Sequence, residues 1–214
     1  LSLGISYPFI LERNTDFGFD LGTTSHNCHQ DLSQDNVRSN NVSTDRIRAI
    51  RVGLNGRKSY KSSYNTARFL YSQGFEGWDD TLSGDQQKSN LDSKPDFSTY
   101  KLDLSRQQYL GKSGLVLEFT ASGQISSSPL PTPEKFSFGG PDYGRGFANS
   151  HIFGDAGWSS SIQLSKNMYS KNGKTISPFV WLDYGQTDDL TGDSREKTAS
   201  TYGIGLAGNF NRDT

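Results

Sequence analysis

Tyr100-Lys101-Leu102-Asp103-Leu104-Ser105 and Leu115-Val116-Leu117-Glu118-Phe119-Thr120-Ala121-Ser122 are the stretches that decide the fold class of this chain. Tyr100, Leu102 and Leu104 oppose Lys101, Asp103 and Ser105, and Leu115, Leu117, Phe119 and Ala121 oppose Val116, Glu118, Thr120 and Ser122. Successive side chains of an extended strand point to opposite faces, so a period of two describes a strand with one apolar and one polar face. The pattern recurs in both directions. Leu1, Leu3, Ile5, Tyr7 and Phe9 mark one strand, and Phe17, Phe19 and Leu21 its hairpin partner across Glu12-Arg13-Asn14. Ile50, Val52 and Leu54 mark a third, and Thr66 to Phe75 a fourth with a blurred pattern. Beyond residue 122 come Trp158, Ile162 and Leu164, then Val180, Leu182 and Tyr184, then Tyr202, Ile204, Leu206 and Phe210. Nine strands are expected in all. Ser/Asn-rich residues 25–43 and Asp/Ser/Lys-rich residues 76–95 read as loops between them.

A polar face repeated on strand after strand has two explanations. One is a soluble antiparallel sandwich or open sheet with one solvated side. The other is a transmembrane barrel whose lumen is wet and whose outer face meets lipid. The mean hydropathy of -0.68 and the 32% hydrophobic content suit a loop-rich soluble protein, and no run of 18 apolar residues exists to make a transmembrane helix. They do not exclude a barrel, because only alternate residues of each strand face lipid. Gly 23, Tyr 10 and Phe 13 fit tight turns and aromatic girdles in either architecture. A net charge of -1 over 214 residues provides no global attraction to nucleic acid or anionic lipid. The lone Cys28 forms no intrachain disulfide. The opening residues read as a strand rather than a signal peptide, so the natural N-terminus is expected upstream.

Catalytic and metal chemistry is poorly represented. His26-Asn27-Cys28-His29 has metal-ligand residue types but no second cluster, and His151 is the only other histidine, so no metal site is expected. Gly139-Gly140 is not followed by Gly-Lys-Ser/Thr, which argues against a nucleotide. No Gly-x-Ser-x-Gly elbow appears. Asp79-Asp80 and Asp188-Asp189 read as solvated loop charges, and Trp158 as part of a membrane-interface girdle, while Trp181 is a ring that could stack a ligand. No cofactor and no enzymatic activity are expected.

The segment between the clearest strands and the last three carries a longer phrase. It runs through Gly123-Gln124-Ile125, Pro129-Leu130-Pro131, Phe136-Ser137-Phe138-Gly139-Gly140, Arg145-Gly146-Phe147 and Gly154-Asp155-Ala156-Gly157-Trp158. Upstream stands Leu102-Asp103-Leu104-Ser105-Arg106-Gln107-Gln108, and downstream Pro178-Phe179-Val180-Trp181-Leu182-Asp183-Tyr184-Gly185. In order and spacing these pieces closely resemble the two-partner secretion transporters, the hemolysin secretion/activation outer-membrane proteins, over about residues 97–210. One position departs: Gly144 stands where the family usually has Val, which predicts looser packing of the loop tip.

The resemblance implies an all-β, transmembrane antiparallel β-barrel of the Gram-negative outer membrane, with about nine of an expected sixteen strands in this chain. It implies a partial C-terminal barrel domain over residues 1–214, a long inward-folded loop at about 127–156, and periplasmic domains that are absent here. Its function would be an outer-membrane pore that secretes a large partner exoprotein, with that exoprotein and outer-membrane lipid as partners and neither nucleic acid nor nucleotide. Arg145 at the loop tip would pair with Asp183 on the barrel wall, within a loop motif of Gly139, Gly140, Gly146, Phe147, Gly154 and Asp155. The alternation separately puts Asp183 on the face opposite Val180, Leu182 and Tyr184, and puts Gly203, Gly205 and Ala207 on the same face, leaving room for an inserted loop. An outer-membrane assembly factor of the same superfamily shares the Arg-Gly-aromatic tip and is the alternative within the membrane; a soluble surface β-sheet binding module is the alternative outside it.

Overall fold

The computed structural model describes residues 1–34, 37–76, 88–171, 174–191 and 196–209. Nine strands form one antiparallel meander: β1 (Ser2–Glu12), β2 (Thr15–Gln34), β3 (Val37–Ser59), β4 (Ser63–Gly74), β5 (Ser98–Leu110), β6 (Leu115–Ser126), β9 (Ala156–Lys166), β11 (Lys174–Asp188) and β12 (Lys197–Asn209). A short β10 (Tyr169–Lys171) pairs with the start of β11. The residues between β6 and β9 hold a separate two-stranded ribbon, β7 (Phe136–Phe138) with β8 (Ile152–Gly154), and a single 3₁₀ turn at Thr132–Glu134. No α-helix occurs among the described residues.

Strand register sorts the two faces. Leu117, Leu164, Val180 and Ile204 lie directly across from one another on β6, β9, β11 and β12, and Phe119, Ile162, Leu182 and Tyr202 make the next such row. Residues in register share a face. In both rows the residues on β9, β11 and β12 are at least one-third exposed, as a lipid-facing surface requires. The opposite face carries Thr120, Ser161, Asp183 and Thr201 in one row and Ser122, Ser159, Gly185 and Ala199 in the next. Asp183, Ser159 and Ser161 are buried there. A buried polar row on a sheet whose other side exposes leucine and isoleucine inverts the arrangement of a soluble protein.

The sequence reading of residues 25–43 as a loop is corrected by the pairing. β2 and β3 remain in register from Thr15↔Lys58 to Gln34↔Val37, with one irregularity at Gln30/Leu32. At about 3.3 Å per residue the 23 residues of β3 exceed a hydrocarbon core of roughly 30 Å more than twofold. Where the hairpin leaves the apolar slab both faces are wet, so the hydrophobic alternation fades while the backbone ladder continues. His26 and Cys28 therefore sit on a strand. In the 76–95 loop, residues 88–95 are described and 77–87, which include Asp79-Asp80, lie outside the described residues.

Turns at residues 13–14, 60–62 and 111–114 are short, whereas the connections after β4, β6 and β11 are long. Barrels of the outer membrane put short turns on the periplasmic side and longer loops outside. At the long-loop end Ile47, Ala49, Phe97 and Leu130 form a small apolar cluster that seats the segment before β5 and the start of the β6–β9 loop against β3.

Candidate functional site

β6 ends at Ser126 and β9 begins at Ala156, and the 29-residue connection packs against the polar face of the sheet. Phe136 and Phe138 alternate inward on β7 and are both buried. The wall receives them because it lacks side chains at two points. A Cβ on Gly157 would stand 2.7 Å from the Phe136 ring, and one on Gly185 would stand 2.2 Å from the Phe138 ring. Gly203 and Gly205, expected to leave room for the loop, do something else. Their space is filled by Trp181 and Phe179 of the neighbouring strand, to which Cβ atoms would come within 2.3 Å.

Past β7 the chain reverses. Gly139 donates its N–H to the Tyr143 carbonyl at 3.0 Å, and Phe147 donates to Gly144 O at 2.8 Å. Gly144 has φ of 79°, a conformation that a β-branched residue adopts only at high cost. A Cβ there would also meet Phe138 at 2.8 Å. The departure from Val at this position therefore accompanies a tight tip, not the loose one expected from the missing side chain. Gly144 is itself buried. Phe147 stacks on His151 with centroids 4.3 Å apart, and Gly146 lies against Thr201 of β12.

The tip places Arg145 over the row of Ser161 and Asp183. Its guanidinium binds Asp183 through two hydrogen bonds, Nε to Oδ2 at 3.2 Å and Nη2 to Oδ1 at 2.9 Å. The backbone N–H groups of Gly144 and Arg145 donate to the same Oδ2 at 3.0 and 3.1 Å. Asp183, with 0% exposure, thus accepts four hydrogen bonds from one loop. A carboxylate removed from water needs such a set, because an uncompensated buried charge is strongly unfavourable. Arg145 also donates to Ser161 Oγ at 2.9 Å and to Gln163 Oε1 at 2.6 Å, and its guanidinium carbon lies 4.9 Å from the Trp181 ring centre. Trp181 thus faces this arginine. Gln163 passes the network on, donating to Glu118 at 3.0 Å, and Glu118 accepts from Gln107 at 2.9 Å. Four strands are joined to one loop residue.

A second group of contacts holds the loop base. Asp155, also 0% exposed, accepts from the backbone N–H of Leu130 and of Leu190, each at 2.8 Å. Its two oxygens tie the outgoing limb, the returning limb and the β11–β12 connection together. Gly154 beside it passes so close to Asp188 that a Cβ would stand 2.5 Å from that carbonyl oxygen. Gln124 at the end of β6 donates to the carbonyls of Glu134 at 2.9 Å and Asp155 at 3.3 Å. Lys135 pairs with Asp189 at 2.6 Å and lies 3.5 Å from Asp155, while Lys197 pairs with Asp189 at 2.9 Å. Burial alone would raise the Asp189 carboxyl, but hydrogen bonds from Lys135 and Lys197 outweigh it and hold the group below its ordinary value. The reading of Asp188-Asp189 as solvated charges is thereby corrected for Asp189. Glu134 reaches the far side of the sheet, pairing with Arg51 of β3 at 2.6 Å. Arg51 is fixed in turn by Ser72 at 2.9 Å and Thr24 at 3.2 Å.

Between loop and wall a polar cleft of about 510 Å³ remains, bordered by Lys101, Asp103 and Ser122 of the wall and by Asp142 and Tyr143 of the loop. His26, Cys28 and His151 do not converge: the first two lie on β2 and His151 packs against Phe147. Trp158 points outward, 45% exposed, with its ring 5.1 Å from Tyr184, the placement of an interfacial aromatic. The sequence reading assigned no site role to Arg51, Glu134, Lys135, Gln163 or Glu118. The alternation puts Glu118 and Gln163 on the inner face with Asp183, but no local pattern pairs them.

Residues 6–208 match the family model of the haemolysin secretion/activation protein ShlB/FhaC/HecB. No curated protein was found to match in sequence. Among solved structures, CdiB from Escherichia coli superposes with a TM-score of 0.77 at 21% identity, over 96% of this chain and 38% of that one. CdiB from Acinetobacter baumannii gives a TM-score of 0.68 at 15% identity, over 95% of this chain and 34% of that one. These likenesses establish the shared fold, and the chain spans little more than a third of either structure. The family match over nearly the whole chain, on a sheet with a lipid-type outer face and a polar inner one, makes this chain a member of the ShlB/FhaC/HecB haemolysin secretion/activation family, the outer-membrane β-barrel transporters of two-partner secretion in Gram-negative bacteria.

Proposed function

We propose that the chain is part of an outer-membrane pore that secretes a large partner exoprotein of the haemolysin activation/secretion type, and that Arg145 and Asp183 latch the 127–155 loop inside the lumen. The observation that carries this reading is the set of four hydrogen bonds that the loop residues Gly144 and Arg145 give to Asp183. When the loop leaves, this carboxylate loses its counter-charge and those four bonds and keeps on the wall only the neighbouring Ser161 hydroxyl. Docked and released loop are therefore discrete states.

The route for cargo is the polar inner face. Serine, threonine and glutamine side chains there offer hydrogen bonds to any passing backbone without selecting a sequence. The docked loop occupies part of that route and acts as a plug; its return restores the starting geometry for the next segment. Outer-membrane lipid contacts the apolar rows. Arg145→Ala tests the reading: export of the partner should fall while the barrel stays inserted and heat-modifiable. Unchanged export would remove the latch from the mechanism.

A further inference from the structure

Among the described residues, the outward face at the short-turn end carries cations without matching anions. Lys58 of β3, Arg106 of β5 and Lys166 of β9 share the parity of the lipid-facing rows, and Lys61 and Lys112 lie in the turns; all five are exposed. Among the described residues the carboxylates at this end are Glu12, Asp16 and Glu118. Asp16 is taken by Arg57, and Glu118 accepts from Gln107 and Gln163 on the inner face. Glu12 alone remains, at the end of β1.

One of the cations, Lys166, borders an apolar groove, and the turn that bears a second, Lys112, is hydrogen-bonded to the residue after Lys166. Asn167, next in sequence to Lys166, donates its N–H to Gly114 O at 3.0 Å, which brings the turn bearing Lys112 alongside. Leu115, Leu164, Pro178, Val180, Ile204 and Leu206 line an open groove of about 600 Å³ on the outer face, with Lys166 at its margin. Among the described residues neither Lys112 nor Lys166 has a carboxylate partner. Lysine stems lie along apolar surface while their ammonium groups reach the headgroup level.

We propose that this groove, with Lys112 and Lys166, binds one anionic glycerophospholipid of the leaflet facing the short turns, an acyl chain in the groove and the phosphate at the two ammonium groups. A zwitterionic lipid offers the same chain and phosphate but brings its own cation against the lysine pair. The charge pattern therefore selects for net negative headgroups. The inference rests on the outer-membrane barrel reading and adds to it a lipid class and a position.

The test is native mass spectrometry of the full-length transporter in neutral detergent, titrated with phosphatidylglycerol and with phosphatidylcholine of the same acyl chains. At roughly fivefold per lysine near an anionic headgroup, wild type should prefer phosphatidylglycerol by about 25-fold. Lys112→Gln with Lys166→Gln should bind both lipids alike. Equal binding by wild type, or a preference that survives the double substitution, overturns the site. Heat-modifiable gel mobility of the same samples separates the two levels: a shifting barrel without preference refutes the lipid site alone. A protein that neither shifts nor fractionates with the outer membrane refutes the barrel reading beneath it.

Discussion

Arg145→Ala removes one side chain and leaves the other half of its pair in a closed position. Asp183 loses two of its four hydrogen bonds and its formal counter-charge, and it has no exposure to water through which to recover them. Ser161 and Gln163 lose a donor each, and Trp181 loses the guanidinium above it. Breaking a buried pair by removing one partner costs about 3–5 kcal/mol. The lower end applies, since the backbone N–H groups at 144 and 145 still reach Oδ2 while the loop is docked. About 3 kcal/mol lowers the docked-to-released ratio by roughly 150-fold. The assay pairs protease accessibility of the 127–155 segment in native outer membranes with export of the partner protein. Faster cleavage and reduced export are expected, with barrel insertion unchanged. Exchanging the charges, Arg145→Asp with Asp183→Arg, should recover only part of the export, because two backbone donors would then face a guanidinium. Wild-type protection and wild-type export in Arg145→Ala would refute the reasoning.

Further substitutions probe the other contacts. Gly185→Val should push Phe138 out of the wall, at an overpacking cost of about 1–3 kcal/mol, and so expose the loop to protease while the barrel still shifts on heating. Asp155→Ala should strand the buried N–H of Leu130, at about 1–3 kcal/mol, and free the more exposed N–H of Leu190 from the loop base. Cleavage near residues 129–135 should accelerate before the tip is released. Asp189, whose carboxyl is depressed in the folded state, stabilises the loop base at every pH above its unfolded value of about 3.9. That contribution disappears as pH falls through the lower folded value. Protection of the loop base should be flat from pH 7 to about 5 and fail below about 4; loss near pH 6 would mean that another group controls it.

The strands were legible because lipid on one side and a wet lumen on the other write the period of two into the sequence, most cleanly at Leu115–Ser122. It blurs in β4, where Leu70 stands on the polar face between Phe69 and Tyr71 of the apolar one, and fades in the outer part of the β2–β3 hairpin, where pairing continues without an apolar face. Asp183 could be assigned to the inner face from its neighbours alone. Its meeting with Arg145, 38 residues away, was expected only from the resemblance to a family. The pairing of Arg51 with Glu134 spans 83 residues and depends on how the sheet curves, which no periodicity encodes. Glycine was half legible. Gly203 and Gly205 were recognised as small inner-face positions, but whether a ring from the next strand or a loop fills such a space depends on three-dimensional packing. Gly157 and Gly185, which do admit the loop, look no different in sequence.

The most direct test is a reversible lock. A Cβ on Gly146 would lie 3.3 Å from the Thr201 Cβ, near the separation of about 3.5–4.5 Å in disulfides. Gly146→Cys with Thr201→Cys, in a Cys28→Ser background, is oxidised in cells and export is followed before and after adding reductant. The account predicts that the cross-link forms readily, that the locked protein stops exporting, and that reduction restores export. A cross-linked transporter that continues to export at the wild-type rate would contradict it.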